Sequence, residues 1–314
     1  MDFNPLKRHH RILDVLFRGV SAFFAFLILI LMIGLLFQLT ANSLPAIRRF
    51  GAGFITSNEW DPAICGAFGA ASSIYGTILS TLIAMILAVP LSLAIALFLV
   101  ELAHPLLSRF VGYAIELLAA IPSIIYGMWG LFVFAPFMEK YLQVPLNERF
   151  GFIPLFAGAP MGIGMLTAGV ILALMILPFV SAVMRDVFRM VPAVVKEAAF
   201  GMGSTTWEVT RKVTFRYGIR GLIGASFLGL GRAIGETMAV TFVIGNVHTI
   251  SASLLAPGNS IASTLANEFA EASEPMYLSA LVELGLILFA ITLLIQLAAY
   301  FWLKRIRKSM GGGL

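Results

Sequence analysis

Six apolar runs, each long enough to cross a bilayer, constrain this chain more than any other feature. They lie at approximately 20–40, 74–100, 111–137, 161–184, 221–246 and 279–303. A helix rises about 1.5 Å per residue, so about 20 apolar residues cross a hydrocarbon core of about 30 Å. With 60% hydrophobic and 12% charged residues, the chain departs from soluble domains, which hold about 45–50% apolar and about 25% charged residues. The expected fold class is therefore an all-α membrane protein with six transmembrane helices. The first run follows Lys7, Arg8, Arg11 and Arg18. It is longer than the roughly 7–15 apolar residues of a cleaved signal, and it reads as a retained anchor.

Lysine and arginine in the short loops set the orientation. The amino tail, the loop near 101–110, the loop at 185–220 and the tail with Lys304, Arg305, Arg307 and Lys308 share one side. The 185–220 loop carries Arg185, Arg189, Lys196, Arg211, Lys212, Arg216 and Arg220. The opposite loops are poor in basic residues, and the stretch from Val247 to Leu278 has none, holding Glu268, Glu271 and Glu274 instead. Both termini are thus expected in the cytoplasm. The net charge of +5 reports topology rather than a nucleic-acid partner; membrane lipid is the surrounding medium.

Cys65 is the single cysteine, so no intramolecular disulfide forms, and His9 with His10 reads as two solvated side chains. No catalytic residue, metal site or cofactor is assigned. Pro90, Pro122 and Pro178 fall within spans, where proline frees a carbonyl and kinks the helix. The stretch IPSIIYGMWG, Ile121 to Gly130, reads as close helix packing, and the apolar segment 138–160 as a loop that dips into the membrane.

Within 185–220, Pro192 suits a first helical turn, Gly203 a helix end, and Thr205 with Glu208 a capping box for a second short helix. Flanking spans argue against a DNA-reading pair of helices and for a compact knob that docks on something. KEAAFGMGSTTWEVTRKVTF, Lys196 to Phe215, resembles the EAA loop of binding-protein-dependent ABC importer permeases, with Glu197, Ala198, Ala199 and Gly203 at the matching positions. The family's closing leucine and proline are absent after Val213, leaving Gly218 and Gly221 as candidates for ending the second helix.

GLGRAIGETMAVTFVIGN (229–246), ELLAAIPSIIYGMWGLFVFAP (116–136), VMRDVF (183–188) and PGNSIASTLANEFAEA (257–272) resemble the PstC-type permeases of phosphate importers. The resemblance implies the type I ABC importer permease fold in a bacterial inner membrane. It further implies a PstA-type sister permease, PstB-type cytoplasmic ATPase subunits and a PstS-type periplasmic phosphate-binding protein. No phosphate-cradling loop of an ATPase is present, so ATP hydrolysis is expected on a partner. On this reading, 1–70 holds the tail, first span and periplasmic loop, 71–303 the permease core, and 304–314 a basic cytoplasmic tail. A permease for sulfate or molybdate, and a proton-coupled secondary transporter, are the rival readings.

Arg232 and Glu236 sit inside the fifth apolar run, where each charge costs about 2.5–3.5 kcal/mol near a helix centre. Two roles are open for them. One is a structural ion pair that fixes helix packing beside Gly231 and Gly235. The other is a translocation path or gate, in which Arg232 attracts the phosphate anion and Glu236 positions it. Glu116 and Glu283 are read as making a helix contact or sitting near an interface rather than touching substrate.

Overall fold

The computed structural model describes residues 5–62 and 66–309, with side chains described from 14 to 305. The side chains of His9 and His10, and Cys65 entirely, lie outside the described residues. In chain order the helices are α1 (Pro5–Phe50), α2 (Ala71–Leu102), α3 (Pro105–Ala119), α4 (Ser123–Phe150) and α5 (Met165–Arg189). Then follow α6 (Ala193–Gly201), α7 (Thr206–Ile234), α8 (Met238–Ile244), α9 (Ile261–Glu268) and α10 (Pro275–Ser309). Helices α1, α2, α5 and α10 are long and apolar enough to cross a membrane unbroken. The pairs α3–α4 and α7–α8, bent by 89° and 61°, bring the count to six when each pair is one span.

Both bends have local causes. Proline disfavours helical geometry in the residue before it and donates no amide. The chain accordingly leaves the helix at Ala120 and restarts at Ser123, immediately after Pro122. The third span thus differs from a single helix over 111–137. Its second arm continues to Phe150, so the first part of 138–160 is helical. Pro136 and Pro145 are tolerated there because each follows a wide turn, Gly130–Phe134 and Glu139–Gln143, that loosens the ladder a proline would otherwise break. Pro90 and Pro178 lie within α2 and α5. Near them, Ser92 donates to the Leu177 carbonyl at 3.1 Å and Ser181 to the Pro178 carbonyl at 3.0 Å.

Helix α5 is the most enclosed span, and α1 is bare along its apolar length. The main core joins Ala84 and Ala88 of α2, Ile171, Leu172 and Ile176 of α5, and Val240, Val243 and Ile244 of α8. A second cluster, at the far end of α5, joins Ala96, Met184, Phe188 and Leu222. A third ties the end of α1 (Ala46) to Phe54, Phe68, Ile261, Leu281 and Leu284. Within IPSIIYGMWG the close packing falls on the glycines, since a Cβ on Gly127 would lie 2.8 Å from the Met238 carbonyl oxygen, whereas Ile124, Ile125, Met128 and Trp129 are exposed.

Candidate translocation site and coupling surface

Arg232 occupies the last turn of α7, and the helix closes at Gly235 before α8 restarts at Met238. The fifth run is therefore two helices. Arg232 lies at a helix C-terminus and Glu236 just before a helix N-terminus, where the backbone dipoles favour each charge. The guanidinium lies over the Phe179 ring of α5, 5.4 Å from its centroid, and the side chain is exposed. Tyr126 of α4 is within its electrostatic reach. Glu236 turns the other way and accepts the Ala239 amide at 3.2 Å, serving the orphan donors of α8. Among the described residues no ion pair joins Arg232 to Glu236; the i, i+4 geometry that would bring them together ends with the helix. Gly231 does pack closely, its absent Cβ leaving room for Gln296 of α10, whereas Gly235 meets no neighbouring helix.

The residues expected to couple to an ATPase, Glu197, Ala198, Ala199 and Gly203, form a knob at the other end of α5. Glu197 and Ala198 are exposed on α6, and Ala199 is buried beneath them. Gly203 turns the chain at φ +84°, a conformation that favours glycine, and Thr205 with Glu208 makes the expected capping box. The Glu208 carboxyl is held below its ordinary range, chiefly by the Thr205 amide and then by Lys212. The second helix is not a short one. Neither Gly218 nor Gly221 ends it, and α7 runs from Thr206 through a wide turn at Thr210–Thr214 into the fifth span. Val194, Phe200, Met202 and Trp207 are exposed around the turn, and Lys196 ties the knob to the end of α2 through Glu101 at 2.6 Å.

Sequence reasoning places Glu116 and Glu283 in helix contacts without giving their partners, and it misses the cluster around Glu268. Glu116 of α3 pairs with Arg185 of α5, and Glu283 is buried on α10 with Oε2 lacking a hydrogen-bond partner. Opposite the knob, Glu268 accepts from Trp60 Nε1 at 2.7 Å and Tyr277 at 2.7 Å, and lies 2.9 Å from His248 Nε2. His248 stacks on Trp60 at 5.3 Å, with Asn259 Nδ2 2.8 Å from its Nδ1. Burial pushes the Glu268 carboxyl up, but the bonds from His248, Tyr277 and Trp60 outweigh it and hold it below the ordinary glutamate range.

A multi-pass helical protein with an exposed apolar knob at one end and an arginine at a broken span has the layout of a membrane transport subunit. The chain belongs to the family of binding-protein-dependent transport system inner membrane components, whose model matches residues 63–310. It is thus a multi-pass inner-membrane permease component, and its family works with an ATPase and a substrate-binding protein. Among its relatives is the phosphate transport system permease protein PstC of Pasteurella multocida, 51% identical over 97% of this chain and 96% of the relative. The PstC of Mesorhizobium japonicum is 51% identical over 97% of this chain and 94% of its own length. Among solved structures, a bacterial alginate ABC transporter chain superposes with a TM-score of 0.60 at 17% identity, covering 97% of each chain. A chain of the MetNI methionine ABC transporter gives 0.53 at 18% identity, covering 75% of this chain and 93% of that one. These two likenesses bear on the fold, that of type I ABC importer permeases.

Proposed function

We propose that this chain is the permease subunit of an ATP-driven phosphate importer and forms half of its translocation path. The observation that carries the substrate is the 51% identity to permeases named for phosphate transport, which extends over nearly the whole of both chains. The other half is a PstA-type sister permease. PstB-type ATPase subunits dock on the knob, and a PstS-type binding protein delivers phosphate to the opposite face. Loop charge supports a cytoplasmic knob and cytoplasmic termini.

In this reading Arg232 attracts the anion. Among the described residues its guanidinium has no carboxylate partner to displace, and several donors in one plane suit phosphate oxygens. The ring of Phe179 holds it without cancelling its charge. An attraction of this kind stays weak enough for the anion to leave, as conduction requires. Glu236 shapes the gate by holding the start of α8. Glu197, Ala198, Ala199 and Gly203 form the surface through which ATPase closure moves α7, which continues without a break from the knob to Arg232.

The test is initial-rate uptake of labelled phosphate, sulfate and molybdate in cells lacking their own phosphate permease and expressing this chain with its partner subunits. Phosphate uptake that the other two anions do not compete away is the expected result. Assembly with the ATPase accompanied by sulfate or molybdate uptake alone would reassign the substrate.

A further inference from the structure

A polar cavity of about 340 Å³ opens between α3 and α5, lined by Ser108, Arg109, Tyr113, Glu116, Arg185 and Arg189. Its charges do not balance: three guanidinium groups meet the Glu116 carboxylate in the lining and Asp186 beside it, 4.0 Å from Arg185 Nε. Arg185 is built into this site. Its side chain is 6% exposed, and Gly112 makes room for it, since a Cβ there would clash with Arg185 Nη1. Nη2 serves Glu116, while Nε is buried with no hydrogen-bond partner. A guanidinium has five donors, and a buried cation is stabilised only when paired and hydrogen-bonded. The cavity therefore holds more cationic donors than Glu116 and Asp186 accept, and the buried Nε of Arg185 is among the unused ones.

Helix α3 suggests the source. Leu106, Phe110, Tyr113 and Leu117 follow one another at helical spacing and are all exposed, and α3 meets the following span arm at 89°. This apolar row runs beside the cavity at the end of the pair that carries Arg109, where lipid chains would cover the row and a headgroup would reach the guanidinium groups. We infer that this cavity binds a phosphate-bearing anion, the headgroup phosphate of a membrane lipid, with Arg185 as the fixed donor and Arg109 and Arg189 as the outer clamp. Free phosphate shares the chemistry and is the alternative source.

Native mass spectrometry of the assembled importer measures retained phosphatidylglycerol in wild type, in Arg109→Gln/Arg189→Gln, and in a charge-matched control, Lys304→Gln/Arg305→Gln. Arg109 and Arg189 are exposed, so their loss leaves packing intact; Arg109→Gln alone repeats the test should the double variant fail to assemble. The expected result is retention about tenfold weaker in the cavity variants only, since charge-assisted bonds to phosphate are lost. If inorganic phosphate occupies the site without lipid, and the cavity variants abolish this, the anion site stands and the lipid assignment falls. Equal loss in the control, or no loss in the cavity variants, overturns the site.

Discussion

Arg232 keeps its charge in an apolar run because three local features stabilise it together: the C-terminal end of α7, the face of Phe179, and exposure of its own head group. A cation over an aromatic face contributes about 0.5–2 kcal/mol, and a charge at the matching helix end about 0.3–1 kcal/mol. None of these involves Glu236, and this decides what a double substitution does. Arg232→Gln is expected to reduce phosphate uptake at least about tenfold, about 1.4 kcal/mol of lost anion attraction, with ATPase co-purification retained. Arg232→Gln/Glu236→Gln is expected to show no recovery over the single variants, because uncoupled sites add to within about 0.5 kcal/mol. A double variant restored to wild-type assembly and uptake would show that the two charges are a lock after all. The two residues are legible in the sequence as charges where lipid should reject them. Their separation is not, because spacing of i and i+4 implies a contact only while the helix continues, and Gly235 ends it.

At the scale of elements, the six spans are legible because hydropathy averages over about 20 residues, and the same averaging hides what happens inside a window. The breaks at Pro122 and Gly235 replace two straight spans by bent pairs, and the apolar segment after 138 proves to be more helix. The knob was legible in outline from Pro192, Gly203 and the Thr205–Glu208 box, since caps are written in adjacent residues. Its fusion with the fifth span is not legible, because Gly218 and Gly221 look like stop signals in sequence while helix packing accommodates them: Gly221 sits against Val187. The fusion joins the knob to the fifth span in one helix, with Met202 and Trp207 exposed at its start, and the proposed docking role rests on these residues. Met202→Glu and Trp207→Glu are expected to cut co-purification of the ATPase at least about tenfold. The melting temperature of the permease should hold, since exposed substitutions change stability by about 0.5 kcal/mol or less. Unchanged ATPase recovery in both variants would move the docking surface elsewhere.

For the whole molecule, the face opposite the knob is organised by one carboxylate that no sequence pattern announces. Glu268 ties together Trp60 before α2, His248 after α8, its own helix α9, and Tyr277 at the start of α10. Trp60 and Glu268 stand 208 positions apart in sequence, so only the folded chain reveals the cluster. Because the native carboxyl titrates below the ordinary glutamate range, its contribution to stability is fully present above the unfolded pKa and is lost as pH falls through the native one. Glu268→Gln keeps an acceptor but removes the charge, and hydrogen bonds to a charged acceptor contribute about 1 kcal/mol more than neutral ones. Wild type should therefore unfold at a higher temperature than Glu268→Gln at neutral pH, by the equivalent of about 2 kcal/mol. The gap should close as the pH is lowered through the native value, in a thermal-unfolding series run on both proteins in the same detergent. A gap that persisted unchanged into acid would mean that the carboxylate's charge does not stabilise this face. The loops here would then be held by the Trp60–His248 stack and the surrounding apolar cluster of Phe68, Ile261 and Leu281.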